Sequence, residues 1–460
     1  MWSASLISLS LLVAACTDNA ESSTTNTASA ATTETAGTPT TGADVTPKST
    51  VPEVSAADTS GIDTHVTDAL GTDTARTGST TDFSTLAPPT GEEMLVGLVN
   101  SEGTPGLDFP EIRIDIMAAV DYLNQHGGLG GRPIKLETCA VKGSPESSQA
   151  CAQELAGKNV ELVLVGLDLF PDYPTYTAAN IPVIGALPIL PGDYTANALF
   201  MTGGNATIAA AMAAVAKDHF KATSVGIVSS DNPGSNGTEA SLTAALDLAG
   251  ISHTTVKGGD NETDAGYQGL MREAAKDNPD VLVSLYSDDG CIGTIRGRAS
   301  MSITIPVITT AICAGRTVLN EVGDDALGWT FVGVSTQADT PELRLLQEIL
   351  APAMGVEPDQ VDSAELGLGA LGLIQIMSLA KFANTIAANG DTVTGPSLFT
   401  FLGTEPGLTQ WPNGSPIECG SAEKYPTICS FIFPVAEYVE GGQVRTIAGL
   451  EAVSAKSYLP

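Results

Sequence analysis

From Met94 onward, short apolar runs rich in β-branched residues alternate with amphipathic stretches. That alternation restricts the fold more than any other feature of the chain. MLVGLV (94–99) has the composition of a buried strand. IRIDIMAAVDYL (112–123) puts Ile112, Ile116, Ala119, Val120 and Leu123 on one helical face, and Gly127 can end the helix. PIKLE, ELVLVGL (161–167) and IPVIGAL (181–187) read as strands. ATIAAAMAAVAKDHF (206–220) reads as a helix leading into SVGIVSS (224–230). DVLVSLY (280–286), IPVITT (305–310) and WTFVGVS (329–335) continue the pattern. Strands this uniformly apolar must be covered on both faces, which calls for parallel sheets flanked by helices. At 460 residues the chain exceeds one ordinary core. Two sets of strand–helix units therefore predict two α/β lobes. The last third departs from the alternation: Glu365 to Ala388 reads as one long helix and SLFTFL as a short one. FIFPVAEYVEGGQVRTIAGL reads as a β-hairpin turning at Gly441–Gly442.

The chain carries 53 acidic residues against 20 basic ones, a formal charge of −33. Nucleic acid and anionic membrane surfaces would repel it, so neither is expected as a partner. Leu6 to Ala15 is apolar but too short to span a bilayer, and reads as the core of a secretory signal, although no Lys or Arg precedes it. Residues 17–90 are mostly Thr, Ser, Ala, Gly and Asp with a single aromatic, Phe83, and cannot bury enough apolar surface to offset ordering entropy. They are expected to form a tether with a root-mean-square reach of about 45–50 Å. Seven cysteines leave one thiol over. Cys139 and Cys151, Cys291 and Cys313, and Cys419 and Cys429 form three local pairs. In an exported chain they read as disulfides, each contributing on the order of 3 kcal/mol. Free buried thiols or a metal site are the alternatives. No CxxC spacing occurs and the four histidines are scattered, so no metal is expected. Cys16 is the odd thiol.

No constellation for catalysis stands out. GGLGGR (127–132) lacks phosphate-loop spacing and follows a helix rather than a strand, so it reads as a helix end and turn. GxSxG, HExxH and EF-hand patterns do not occur. His65 falls in the tether, while His126, His219 and His253 fall at element ends. No enzyme activity and no cofactor are expected. In open parallel sheets, ligands bind beyond the carboxyl ends of the strands, and between lobes when two face each other. Those positions are Asn100–Ser101, Leu167–Asp168 and Ala186–Leu187 in the first half. In the second they are Asp231–Asn232, Tyr286 to Asp288 and Thr309–Thr310. The Asp288–Asp289 pair suits a ligand role or a solvated helix start. Together these residues describe a mixed apolar and polar cleft suited to a small molecule.

The run DYLNQHGGLGGRPIKLETCAVKGSPESSQACAQEL resembles the first lobe of type I periplasmic binding proteins, in the leucine/isoleucine/valine-binding branch. The likeness extends from about Met94 to the C-terminus and takes in IPVIGA and DNPDVLVSLYSDDG. It implies two Rossmann-like lobes joined by a hinge, with residues 91–206 and 336–412 in lobe 1 and residues 207–335 and 413–460 in lobe 2. LVAAC resembles a bacterial lipoprotein signal. That resemblance implies a signal peptide over 1–15, a lipidated Cys16 and a tether over 16–90.

The expected function is an extracytoplasmic, membrane-anchored binding protein that captures a small organic solute, branched-chain amino acid-like or related. It would act as a monomer and deliver the solute to an ABC transporter permease. Several acyl chains anchor well where one does not. The alternative is the ligand-sensing module of a signalling receptor, which would be expected to carry a transmembrane helix and a cytoplasmic domain. Within the branch, hydroxyls after the third and fourth strands hold a ligand carboxylate. Here Gly166–Leu167–Asp168 and Ala186–Leu187–Pro188 stand instead, and Thr310–Ala311–Ile312 replaces the acid expected to meet an ammonium. Tyr286 matches an aromatic position. The resemblance thus supports the scaffold more than α-amino-acid specificity.

Overall fold

The computed structural model describes residues 82–104, 108–333, 340–361, 368–412, 414–441 and 443–460. The signal, Cys16, His65, nearly all of the expected tether, the 335/336 lobe boundary, Glu365 and Gly442 lie outside them.

The first sheet is built from β1 (Met94–Ser101), β2 (Ile134–Val141), β3 (Leu162–Val165), β4 (Val183–Gly185) and β5 (Leu199–Phe200). All are parallel, in the order β2-β1-β3-β4-β5. Alternation along the strands sorts their side chains between two cores. Val96 and Leu98 of β1, with Leu162 and Leu164 of β3, face one core. Val99, Val163 and Val165 face the other. The first core is closed by α1 (Pro110–Leu123), α9 (Pro341–Met354), α10 (Gly369–Ala388) and α11 (Gly395–Thr404). The second is closed by α2 (Pro145–Gly157) and α3 (Tyr173–Ala178). Helix α1 buries the predicted stripe Ile112, Ile116, Ala119, Val120 and Leu123, and Asp115 with it. The helix ends at Leu123, before Gly127. Positive φ at Gly127, Gly128, Gly130 and Gly131 turns GGLGGR back into β2. Arg132 then ties the turn to Glu161 at 2.6 Å and to the Val393 carbonyl at 2.8 Å.

The second sheet contains β6 (Ser224–Ser230), β7 (Ser252–Gly258), β8 (Val281–Leu285), β9 (Val307–Thr310) and β10 (Trp329–Val332), all parallel. Helices α4 (Gly204–Ala214) and α5 (Pro233–Leu248) cover one face. Helices α6 (Asp264–Ala274), α7 (Asp288–Ser300) and α8 (Arg316–Val322) cover the other. Edge strand β7, SHTTVKG, is half exposed; its polar alternation hides it from a search for apolar runs. The expected hairpin forms from β13 (Ile432–Val439) and β14 (Gln443–Thr446), joined antiparallel to β10, with β15 (Ala452–Ser454) on β13.

A small pair, β11 (Leu408–Thr409) and β12 (Pro416–Ile417), belongs with the first half, because Leu408, Trp411, Ile417 and Cys429 pack into its core. The chain passes between the sheets after β5, after β10 and after β12. Two of these passages run side by side: Phe200 donates to the Thr427 carbonyl at 2.8 Å and accepts from Cys429 at 2.9 Å. The three cysteine pairs are disulfides. Cys139–Cys151 fastens β2 to α2, and Cys419–Cys429 fastens the segment after β12 to the passage beside Phe200.

Candidate ligand site

Parallel packing brings the carboxyl ends of β1, β3 and β4 to one side of the first sheet. Asn100 is buried there with its amide fully used. Nδ2 donates to the Phe109 carbonyl at 2.7 Å and to Glu102 at 3.2 Å, while Oδ1 accepts from Leu167 N at 3.1 Å. It therefore shapes the site by joining the ends of β1 and β3. Ser101 is buried with its hydroxyl unpartnered, and its N–H donates to the Leu167 carbonyl. Leu167 packs into the first core.

Asp168 is only 3% exposed. Its Oδ1 accepts from Ser148 Oγ at 2.7 Å and from Phe170 N at 3.0 Å. Burial raises its pKa above the ordinary carboxylate value, and these two bonds oppose the shift. Ala186 is buried and its carbonyl accepts from Thr202 N and Oγ1; Leu187 is half-buried. Beyond them Phe170 and Leu190 stay exposed, presenting apolar surface beside Asp168 and after β4.

Three residues that sequence reasoning missed complete this half: Ser148, Tyr173 and Asp193. Asp193 is buried and accepts from Ile189 N and Leu190 N at 2.7 and 2.8 Å and from Tyr173 Oη at 2.7 Å, pinning the loop after β4. Its one local signal is the Pro191–Gly192–Asp193 turn.

In the second sheet, Asn232 caps α5 by accepting from Ser235 N at 2.8 Å and donates to Asp260 at 2.6 Å. Ser230 also donates to Asp260. Asp231 is exposed. Tyr286 is buried edge-on against Tyr267, with ring centroids 5.6 Å apart. Its hydroxyl is unpartnered close to Gly258, and burial raises its pKa. The ring thus fills the interior of this half. Asp288 opens α7. Thr309 is buried and donates to the Ser284 carbonyl at 2.9 Å, whereas Thr310 is half-buried. Ile312 is 56% exposed. Cys291–Cys313 links the first turn of α7 to the turn carrying Ile312, with both sulfurs against the Tyr286 carbonyl.

A shallow hollow of about 260 Å³ lies between the start of α2 and the loop after β3, lined by Glu146, Gln149, Phe170 and Asp172 among others. It belongs to one sheet and opens to solvent, so it cannot by itself strip water from a ligand. Among the described residues, no group of three or more His, Cys, Asp or Glu is placed to hold a metal.

Over residues 96–401 the sequence matches the periplasmic binding protein family, and the chain belongs to that family of extracytoplasmic solute-binding proteins. No curated protein matches it. Among solved structures, it shares its fold with an ABC transporter substrate-binding protein from Sphaerobacter thermophilus, at TM-score 0.62 and 17% identity, covering 80% of this chain and 100% of that one. An R. palustris solute-binding protein in complex with 4-hydroxybenzoate aligns at TM-score 0.57 and 16% identity, over 79% of this chain and 98% of that one. A leucine-binding protein from Thermotoga maritima aligns at 0.54 and 13%, over 79% and 99%.

Proposed function

We propose that this chain is a lipid-anchored solute-binding protein that captures a small organic molecule between its two halves and delivers it to an ABC importer. The observation carrying this reading is the pair of sheets, one parallel and one mixed, joined by adjacent hydrogen-bonded passages at Phe200 and Thr427 to Cys429, within a chain of this family. Such passages can flex while both cores stay rigid, the hinge closure for which periplasmic binding proteins are a standing example. Ligand would contact the ends of β1, β3 and β4 on one side and of β6, β8 and β9 on the other. Phe170, Leu190 and Ile312 offer apolar surface, and Ser101 offers an unpaired hydroxyl. Closure follows only if the solute binds the closed arrangement better than the open one.

Native mass spectrometry of the protein isolated from its own envelope tests this reading. One small organic molecule per chain is expected. Chains that carry no solute, and take up none from a panel, would refute it.

A further inference from the structure

Resting on the reading that the strand ends hold a solute, we propose that this solute carries no carboxylate and that Asp168 excludes those that do. The runs that directly follow β3 to β9 contain no basic residue, and Lys217 after β5 and Arg316 after β9 come only beyond them. They read LDLFPD (167–172) after β3, ALPIL (186–190) after β4 and MTG (201–203) after β5. The second sheet adds SDN (230–232), GDNE (259–262), YSDD (286–289) and TAICAG (310–315). Acids recur in four of these runs, and nothing among them offsets their charge.

The cations nearest in the chain are already engaged. Lys142, following β2, donates to the Glu102 carbonyl at 2.6 Å, and Arg113 pairs with the Glu102 carboxylate at 3.0 Å. Lys257 pairs with Glu239 at 2.6 Å, and Arg316 has a partner of its own. Asp168 is the acid buried directly beyond the end of β3. It is buried, its contacts are a hydroxyl and a backbone N–H, and no cation is among the groups acting on it. Burial and the neighbouring Asp193 oppose its ionisation; once ionised, its field is poorly screened in that setting, so it repels an anion and attracts a donor group. The apolar surface at Phe170, Leu190 and Ile312 describes the rest of the molecule: an apolar body bearing an amide, amine or hydroxyl.

Thermal-shift and calorimetric titration of the full chain with matched solutes tests the proposal: benzoate against benzamide and benzylamine, and 4-methylpentanoate against 4-methylpentanamide. The amide or amine is expected to raise Tm, and each carboxylate to bind at least about tenfold more weakly. Asp168→Asn keeps an acceptor for Ser148 and Phe170 and should shrink that discrimination at least about tenfold. A carboxylate bound as tightly as its amide, or one found as the co-purified solute, would overturn the charge argument and leave solute binding intact. Unchanged discrimination in Asp168→Asn would remove the role of Asp168. If no solute binds either protein and none co-purifies, the solute-binding reading fails, and this inference with it.

Discussion

Asp115 shows how a single side chain can oppose the fold that holds it. It sits on the buried stripe of α1 at 6% exposure, its Oδ2 has no hydrogen-bond partner, and the start of α10 at Gly369 packs directly over it. Burial pushes its pKa up to about 7, with Glu111 adding to the rise. The unfolded chain releases this proton near pH 4, whereas the folded chain keeps it until about 7. Between those values the unfolded state binds fewer protons, so stability falls as pH rises. Asp115→Asn should therefore raise the unfolding free energy at pH 8 by roughly 1–3 kcal/mol and have a much smaller effect at pH 4, as urea titrations at the two values would show. An equal gain at both pH values would mean that ionisation is not the cause. Asp115 was hidden in the sequence, because helical periodicity marks the apolar positions and passes over an acid among them. A related limit hides Asp193, which sits in a loop without periodicity, and the partner of Asn100, a strand-end residue legible in the sequence whose bond to Leu167 spans 67 residues.

At the scale of elements, α10 is the helix most open to misreading. Its 20 residues are long and apolar enough to cross a membrane, yet its most apolar stretch is 72% buried against α1 and the first core. Gly372 allows the close approach: a Cβ there would stand 2.9 Å from the Ile112 carbonyl and 2.9 Å from Ile116 Cγ1. Gly372→Leu should separate the two helices and cost about 1–3 kcal/mol, seen as a lower Tm. Gly157→Ala, at the end of α2 with nothing within 4 Å, should be neutral or mildly stabilising. Equal effects of the two changes would sink the packing argument. The long apolar strands β1, β6 and β8 were legible from residue type alone, because burial on both faces demands such residues. Strands β3 and β4 are shorter than their apolar runs, since Leu167 and Ala186 are buried beyond the last paired residues.

For the molecule as a whole, location and ligand rest on different parts of the chain. LVAAC and the polar run after it argue for an anchored, extracytoplasmic protein. Cys16→Ser should move the protein from the membrane fraction to the soluble fraction and lower its mass by the acyl groups. A variant that stays in the membrane with unaltered mass would end the anchor proposal. The sequence by itself determined the α/β class, the two sets of strands, the local cysteine pairs and which residues stand at the strand ends. Each of these follows from residue type and short-range spacing. Tertiary structure alone decided which of those residues are used up internally. Asn100, Asn232 and Tyr286 are spent on loop, cap and core, while Phe170, Leu190 and Ile312 remain exposed. Strand order, passages and burial bring together residues far apart in the chain, and no local pattern encodes that distance.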